Sequence, residues 1–498
     1  MFMPASITTS GMKALGVLVL SLVSLVLSNS FPLPGETVVV VALYRHGVRS
    51  PDNPPDSDGR PVTTANFTTK KFPPWTDSDP THPAGDGGLT ANGADVLKNF
   101  GNWFRTYYPV GASCTKVQNN SYIYVDVSQR CQDSATAWWE GYSFNCDIPT
   151  TVQPPTHQDK SVYPGVTLFK HYTNGFDLEN CHGNNNETFS GGNITRRQVW
   201  MIDEWRDEFQ AINEILGNNF DKSLCYGSSF DDHDNCNLFG IPIEEPDWTD
   251  SQYLRGPMGY ANYWANYFLT QYFDGQEVAF GDLWTEKDGF RQTKRIGRVH
   301  YAQDMLQGMS PSAAFCFGSE LFGHMLTSIE QAAKGEDVNV DTINHSFWKK
   351  LVTYFGHHEN VSYLITLLQL QLVSEENDWQ WIPFSGGLQL RLYKDTDPDT
   401  GKENLFISFY FITPTPTQHR TNTALNDDNQ PSIEQLQAAW CTDSSGFLCR
   451  YSDFKRFMLS RFKTHCIYDT TLANYLKKQR AISLIESIKA MEEDRLFR

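Results

Sequence analysis

The stretch VVVVALYRHGVRSP, residues 38–51, joins an apolar run directly to three cationic side chains. The run has no polar face, which predicts a strand inside a parallel or mixed sheet that is covered on both sides. In open α/β sheets, ligands bind beyond the carboxyl ends of such strands. Arg45, His46 and Arg49 fall at that edge, so the stretch predicts an anion-binding site there.

The residue types of this segment suit phosphate chemistry. The guanidinium groups of Arg45 and Arg49 can each pair with two phosphate oxygens. Gly47 would let the turn bend and let a ligand approach the backbone closely. An imidazole between two such arginines is placed to attack phosphorus, which predicts His46 as a nucleophile. The alternative is a basic surface turn, but R-H-G-x-R-x-P arises by chance in a chain this long only about once in ten thousand.

Length and composition bound the class of protein. The 498 residues allow two ordinary domains or one large α/β domain with an insertion. A hydrophobic content of 40% with 13 tryptophans excludes a disordered chain. The net charge of −18 disfavours nucleic acid and anionic membranes as partners. It also favours acidic surroundings, in which crowded carboxylates are partly protonated.

The N-terminus indicates export. Residues 1–30 are typical of a cleaved signal peptide, because the apolar segment 14–27 follows Lys13, is too short to span a bilayer and precedes Ser28 and Ser30. The alternative is an uncleaved anchor. Glycosylation triplets fit the export route and begin at the following residues: Asn66, Asn119, Asn186, Asn193 and Asn344.

Ten cysteines in an exported chain are most simply explained as disulfides. The short loops from Cys225 to Cys236 and from Cys441 to Cys449 predict local bridges. The acidic run Asp231–Asp234 between the first pair is better explained as a solvated loop than as a metal site.

Helix and strand signals follow the signature. Thr90 is a candidate helix cap with a stop at Pro109, residues 121–128 alternate as a strand does, and the segment after them is typical of a helix. Residues 145–299 form short amphipathic helices between polar stretches, which predicts an insertion. From Phe347 a helix and turn signal precedes two strand candidates, 387–395 and 404–412.

RHGVRSP resembles the signature of the histidine acid phosphatases, a branch of the histidine phosphatase superfamily. Further segments resemble that family in the same order, at residues 87–109, 125–142, 383–395 and 441–454. The resemblance implies an α/β fold of the phosphoglycerate-mutase type, with a mixed sheet, helices on both faces and an inserted, mainly helical cap. It implies a core of residues 31–144 and 300–498, a cap of residues 145–299, and Arg130 as a third phosphate-binding arginine.

The family's second catalytic motif is usually G-H-D, and two segments compete for it. CIYDTTLANYL, residues 466–476, comes too late in the order and reads better as the start of a C-terminal helix. YFGHHENVSYLITLL has the right order, which makes His357 the predicted phosphate ligand. His358 then stands where the aspartate belongs, and Glu359 follows as in the H-A-E variant of the multiple inositol polyphosphate phosphatases. We favour Glu359 as the proton donor and keep His358 as the alternative.

The sequence thus predicts a secreted, lysosomal or vacuolar acid phosphatase that hydrolyses small phosphomonoesters through a phosphohistidine. The expected protein needs no metal or cofactor, binds no nucleic acid and no membrane after signal cleavage, and is compatible with a homodimer. The nearer alternative is a phytase or inositol polyphosphate phosphatase of the same fold. The farther one is a catalytically weak protein that binds a phosphate ligand.

Overall fold

The computed structural model describes most of the chain. The described residues are 35–54, 61–76, 87–144, 146–148, 168–169, 191–225, 236–243, 256–282, 290–307, 311–371, 382–396, 399–441 and 445–496. The predicted signal peptide and the acidic run Asp231–Asp234 lie outside these residues. Among the described helices, none combines the length and the apolar character that crossing a membrane requires.

A mixed sheet forms the centre of the described fold. Its eight strands are, in chain order, β1 (Glu36–Arg45), β2 (Ser121–Val125), β3 (Leu351–Gly356), β4 (Leu370–Gln371), β5 (Gly387–Thr396), β6 (Glu403–Thr413), β7 (Ser432–Ala438) and β8 (Cys449–Arg450). The spatial order is β2-β3-β1-β5-β6-β7-β4, and β8 pairs with β6. Strand β1 is parallel to β3 and antiparallel to β5, so the predicted buried strand of a mixed sheet is confirmed.

Twelve α-helices accompany the sheet within the described residues. They are α1 (Ala91–Tyr107), α2 (Cys114–Asn120), α3 (Gln129–Ser143), α4 (Gly191–Glu204), α5 (Arg206–Leu216), α6 (Gly256–Phe273), α7 (Arg291–Gln307), α8 (Pro311–Lys334), α9 (His358–Leu368), α10 (Pro416–Thr421), α11 (Tyr451–Arg461) and α12 (Thr470–Leu496). The predicted helix after Thr90 and the two late strands are confirmed. Helix α7 runs through the predicted cap boundary at residues 299–300.

The two faces of the sheet carry separate apolar layers. Successive side chains of β1 alternate between them, with Val39 and Val41 in one layer and Val40 and Ala42 in the other. Helices α8, α9, α11 and α12 contribute to the first layer, and α1 and α3 contribute to the second. The predicted arrangement of helices on both faces is therefore confirmed.

A third apolar cluster belongs to the helical part of the chain. It is built mostly from α5, α6 and α7, and it also includes Val48 and Phe384. Val48 belongs to the signature segment itself, and Phe384 lies beside Arg45 and His46. The helical part is thereby packed directly against the end of β1.

Two local predictions are corrected. The segment Leu351–Gly356, which the sequence analysis assigned to a helix and turn signal, is the central strand β3. All six of its residues are buried, and periodicity cannot distinguish a short run that is apolar throughout from a buried helix. Residues 202–216, the clearest amphipathic helix predicted within the insertion, belong to two helices, because Trp205 leaves helical geometry between α4 and α5.

The cysteines that the structure describes follow the prediction with one exception. The bridges Cys225–Cys236 and Cys441–Cys449 are present, and Cys114 pairs with Cys146. Cys131 is instead a free, buried thiol, so the assignment of all ten cysteines to disulfides is wrong. Its Sγ atom lies 3.4 Å from the Gly356 carbonyl oxygen, which places it beside the end of β3 rather than near another cysteine.

Candidate active site

Backbone hydrogen bonds fix the signature segment where it leaves the sheet. The amide of His46 donates to the Gly356 carbonyl at 2.9 Å, and the Ser385 amide donates to the His46 carbonyl at 3.1 Å. The Arg45 amide donates to Gly386 at 2.9 Å. His46 is therefore fixed between the end of β3 and the loop before β5.

Helix α1 packs unusually close to the signature. Thr90 accepts the Gly93 amide as helix cap, and its own amide donates to the Val48 carbonyl at 2.9 Å. A Cβ atom on Gly93 would lie 2.3 Å from the Val48 oxygen, and one on Gly47 would lie 2.6 Å from Leu97 Cδ1. Gly47 is thus required for packing against α1, and its role in the close approach of a ligand stays a prediction.

His46, the predicted nucleophile, is buried and its imidazole is neutral. Its Nδ1 atom lies 2.8 Å from the Gly47 carbonyl oxygen, which can only accept, so Nδ1 carries the hydrogen and Nε2 keeps its lone pair. Burial lowers the pKa of His46 well below 6.5, and the charges of Arg130, Arg45, His357 and Arg49 lower it further. The imidazole consequently stays unprotonated in mildly acidic solution.

The two signature arginines are anchored differently. Nη1 of Arg45 donates to the Ile382 carbonyl at 2.6 Å, and its guanidinium stacks 3.9 Å above the ring of Phe384. Nη1 of Arg49 donates to the Ser50 carbonyl, and its Nη2 lies 2.9 Å from Oδ2 of Asp52. Both guanidinium groups are therefore fixed in position, Arg45 by the protein interior and Arg49 by a carboxylate.

His357 is a buried cation at the start of α9. Its Nε2 lies 2.9 Å from Oδ2 of Asp126, the residue that follows β2. Burial alone would lower the pKa of His357, but Cys131 and Asp126 outweigh it and raise the pKa to about 10. The ring centroid of His357 is 5.5 Å from that of His46, so the imidazolium faces the imidazole of His46.

Arg130 completes the cluster from α3. The Gly47 amide donates to Ser134 Oγ at 2.9 Å, and that hydroxyl donates to the Arg130 carbonyl at 2.5 Å, which ties α3 to the signature. The structure thus brings together the five residues predicted to contact phosphate, here called the phosphate cluster: Arg45, His46, Arg49, Arg130 and His357.

Both candidates for the proton donor lie in the first turn of α9. Nδ1 of His358 lies 3.1 Å from Oε2 of Glu359, and the two side chains are only 13% and 12% exposed. The ring of His358 also lies 5.5 Å from that of His300 on α7, whose Nδ1 is 2.6 Å from Asn262 Oδ1. His358 is therefore directed toward the helical part, while Glu359 interacts electrostatically with Asp52, the partner of Arg49 in the phosphate cluster.

The rejected second motif has the expected structural role. Asp469 accepts the amides of Thr471 at 2.8 Å and Leu472 at 3.2 Å, which caps the start of α12. The nominal glycosylation residue Asn360 is 1% exposed, and its side chain accepts the His357 amide at 2.9 Å. Asn360 therefore holds the start of α9, and we predict that it carries no glycan.

Asp126 and Asp52 were not predicted as site residues. Asp126 could have been predicted as a site residue, because it directly follows a strand that is parallel to β3, at the edge of the sheet where ligands bind. Asp126, Cys131 and His357 also bring possible metal-ligating atoms within 4.8 Å of one another, the one such group among the described residues. The ion pair between Asp126 and His357 already accounts for this proximity, so we assign no metal to the group.

Comparison with known proteins identifies the family of this chain. The family model described as histidine phosphatase superfamily (branch 2) matches residues 38–411. The chain belongs to that superfamily branch. Membership makes it a phosphatase that acts on small phosphate esters, and the predicted family is thereby confirmed. A search of curated proteins returned no match.

Solved structures share the fold at low sequence identity. Hafnia alvei phytase in complex with tartrate is 19% identical with a TM-score of 0.68, covering 88% of this chain and 99% of its own. Citrobacter braakii phytase is 19% identical with a TM-score of 0.64, covering 87% and 99%. Klebsiella sp. ASR1 phytase is 15% identical with a TM-score of 0.62, covering 89% and 99%.

Proposed function

We propose that this branch 2 phosphatase is an exported acid phosphatase that hydrolyses phosphomonoesters through a phosphohistidine at His46. The observation that carries the proposal is the buried imidazole with Nδ1 fixed by the Gly47 carbonyl and a pKa lowered well below 6.5. Such a histidine keeps its Nε2 lone pair in acid, where many phosphate esters are monoanions. The disulfides support the exported setting.

Each step has a candidate residue. Nε2 of His46 attacks phosphorus, and the P–O bond to the leaving alcohol breaks on the opposite side. The cations of the phosphate cluster stabilise the transferred group, and Glu359 donates the proton that converts the leaving alkoxide to an alcohol. Water then attacks the phosphohistidine, phosphate leaves and His46 is restored.

A phytase is the second candidate function. The order His357-x-Glu359 favours it, and the similar solved structures named above are phytases. The position of the cations on α7 argues against a phytase, because a substrate with several phosphates needs cations that face the site. Arg291, Lys294 and Arg298 recur every three to four residues along α7. At about 100° per residue they lie on the opposite side of the helix from His300, and His300 is the residue that meets α9.

Release of phosphate from p-nitrophenyl phosphate and from phytate, measured between pH 4 and 7, tests both candidates. We expect hydrolysis of p-nitrophenyl phosphate that His46→Ala abolishes. A kcat/KM for phytate far above that for simple monoesters would replace the first candidate with the second. Release from neither substrate would refute the enzymatic function and favour a binding protein.

A further inference from the structure

Asp52 lies inside the phosphate cluster although the catalytic scheme gives it no role. Its Oδ2 is 2.9 Å from Nη2 of Arg49. A Cβ atom on Gly87 would be 2.2 Å from Oδ1 of Asp52 and 3.5 Å from Nη1 of Arg130, so the carboxylate and both guanidinium groups share one small region. This region is also where phosphate oxygens would have to bind.

The groups that face Asp52 come from four parts of the fold. Burial and the charge of Glu359 would each raise the pKa of Asp52. The charges of Arg49, Arg130 and His357 outweigh both and lower that pKa below its usual value. Tyr263 on α6 faces the same point and interacts with both Asp52 and Arg49. The free protein therefore holds an ionised carboxylate against the cations that the substrate needs.

A phosphate group that binds to these cations meets a negative charge already in place. The side chain of Asp52 is 41% exposed, so solvent screens part of the interaction. Like charges within a few ångströms still repel, and the repulsion falls if one of them takes up a proton. We propose that Asp52 is an internal anion that occupies the phosphate-binding cations of the free protein and takes up one proton from solvent when phosphate binds. This inference rests on the proposed function, because it assumes that the phosphate cluster binds phosphate.

The proposal predicts that the site binds phosphate more tightly at acidic pH, whichever residue donates the proton to the leaving group. Binding of phosphate and binding of a proton to Asp52 support each other, so affinity rises as the pH falls. Removing the charge of Asp52 removes this coupling. Because the pKa of Asp52 in the free protein lies below 3.8, uptake of nearly one proton at pH 6.5 means that Asp52→Asn should bind inorganic phosphate more tightly than the wild type by more than a hundredfold.

Isothermal titration of the full chain with inorganic phosphate tests the proton directly. Titrations at pH 6.5 in buffers of different ionisation enthalpy give the number of protons taken up. The wild type should take up close to one proton more than Asp52→Asn, and phosphate's own ionisation cancels between the two. The matched control Asp95→Asn removes an exposed carboxylate on α1 and should behave as the wild type.

The outcomes distinguish a failure of the proposed function from a failure of the inference about Asp52. If phosphate fails to bind to the wild type, the proposed function fails. If phosphate binds but Asp52→Asn takes up as many protons as the wild type, the inference about Asp52 is wrong while the proposed function stands. Weaker phosphate binding by Asp52→Asn would also overturn it, since Asp52 would then serve to position Arg49. An unchanged affinity with slower turnover of alkyl phosphates would instead assign Asp52 as a proton donor.

Discussion

The ion pair between Asp126 and His357 gives the sharpest quantitative prediction. Holding the pKa of His357 at about 10 rather than 6.5 corresponds to a preference for the imidazolium of about 5 kcal/mol. Asp126→Asn removes the carboxylate but keeps an oxygen that can accept from Nε2 of His357. Cys131 and Asp126 together raise the pKa of His357 against burial, so removing the Asp126 carboxylate should bring the pKa of His357 down toward the working pH range.

The expected loss of activity follows from one missing charge. A hydrogen bond to a charged group contributes about 1.5–3 kcal/mol, so kcat/KM should fall by roughly tenfold to a hundredfold. The defect should grow between pH 5 and 7 as His357 deprotonates, whereas the wild type keeps its charge. The assay is kcat/KM for p-nitrophenyl phosphate across that range, beside the thermal unfolding of each variant.

A matched control is Asp428→Asn, which removes an exposed carboxylate far along the chain in the loop before β7. It should leave both the rate and its pH dependence unchanged. A folded Asp126→Asn variant with the kcat/KM and pH profile of the wild type would refute the idea that a buried imidazolium assists phosphate binding.

Three further predictions concern the proton donor, acid stability and the free thiol. Glu359→Gln should slow the hydrolysis of alkyl phosphates by roughly 10²–10⁴-fold and that of p-nitrophenyl phosphate much less. If Glu359→Gln left these rates unchanged and His358→Ala lowered them in this way, His358 would be the donor instead. Burial lowers the pKa of His324 to about 4, so its contribution to stability, about 3 kcal/mol, is present above pH 6.5 and lost as the pH falls toward 4. Urea unfolding at pH 7 and 4 should show this loss in the wild type but not in His324→Gln. Non-reducing alkylation should label Cys131 only after unfolding, and a disulfide at that position would contradict the structure.

The sequence was most informative where a local pattern has one physical explanation. A strand without a polar face must be covered on both sides, and this places Arg45 and His46 at a ligand-binding edge. The resemblance then located Arg130 and His357 far along the chain. Their meeting at His46 depends on β2 and β3 lying side by side, which no single segment encodes.

The unpredicted features depend on neighbours in space. Cys131 is free because it packs against the end of β3, whereas the cysteine count favoured a full set of bridges. Asp52 and Asp126 are ordinary acidic residues in the sequence, and their importance comes from the cations that surround them. Strand β3 was missed because all its residues are buried, which removes the alternation that identifies a strand.

The central claim is that His46 carries the phosphoryl group. The most direct measurement is to quench a reaction with labelled phosphomonoester under alkaline denaturing conditions, which preserve phosphohistidine, and to locate the label by peptide mapping. The account predicts an acid-labile label on the peptide that contains His46, absent from His46→Ala. A label on any other residue, or turnover by His46→Ala at the rate of the wild type, would contradict it.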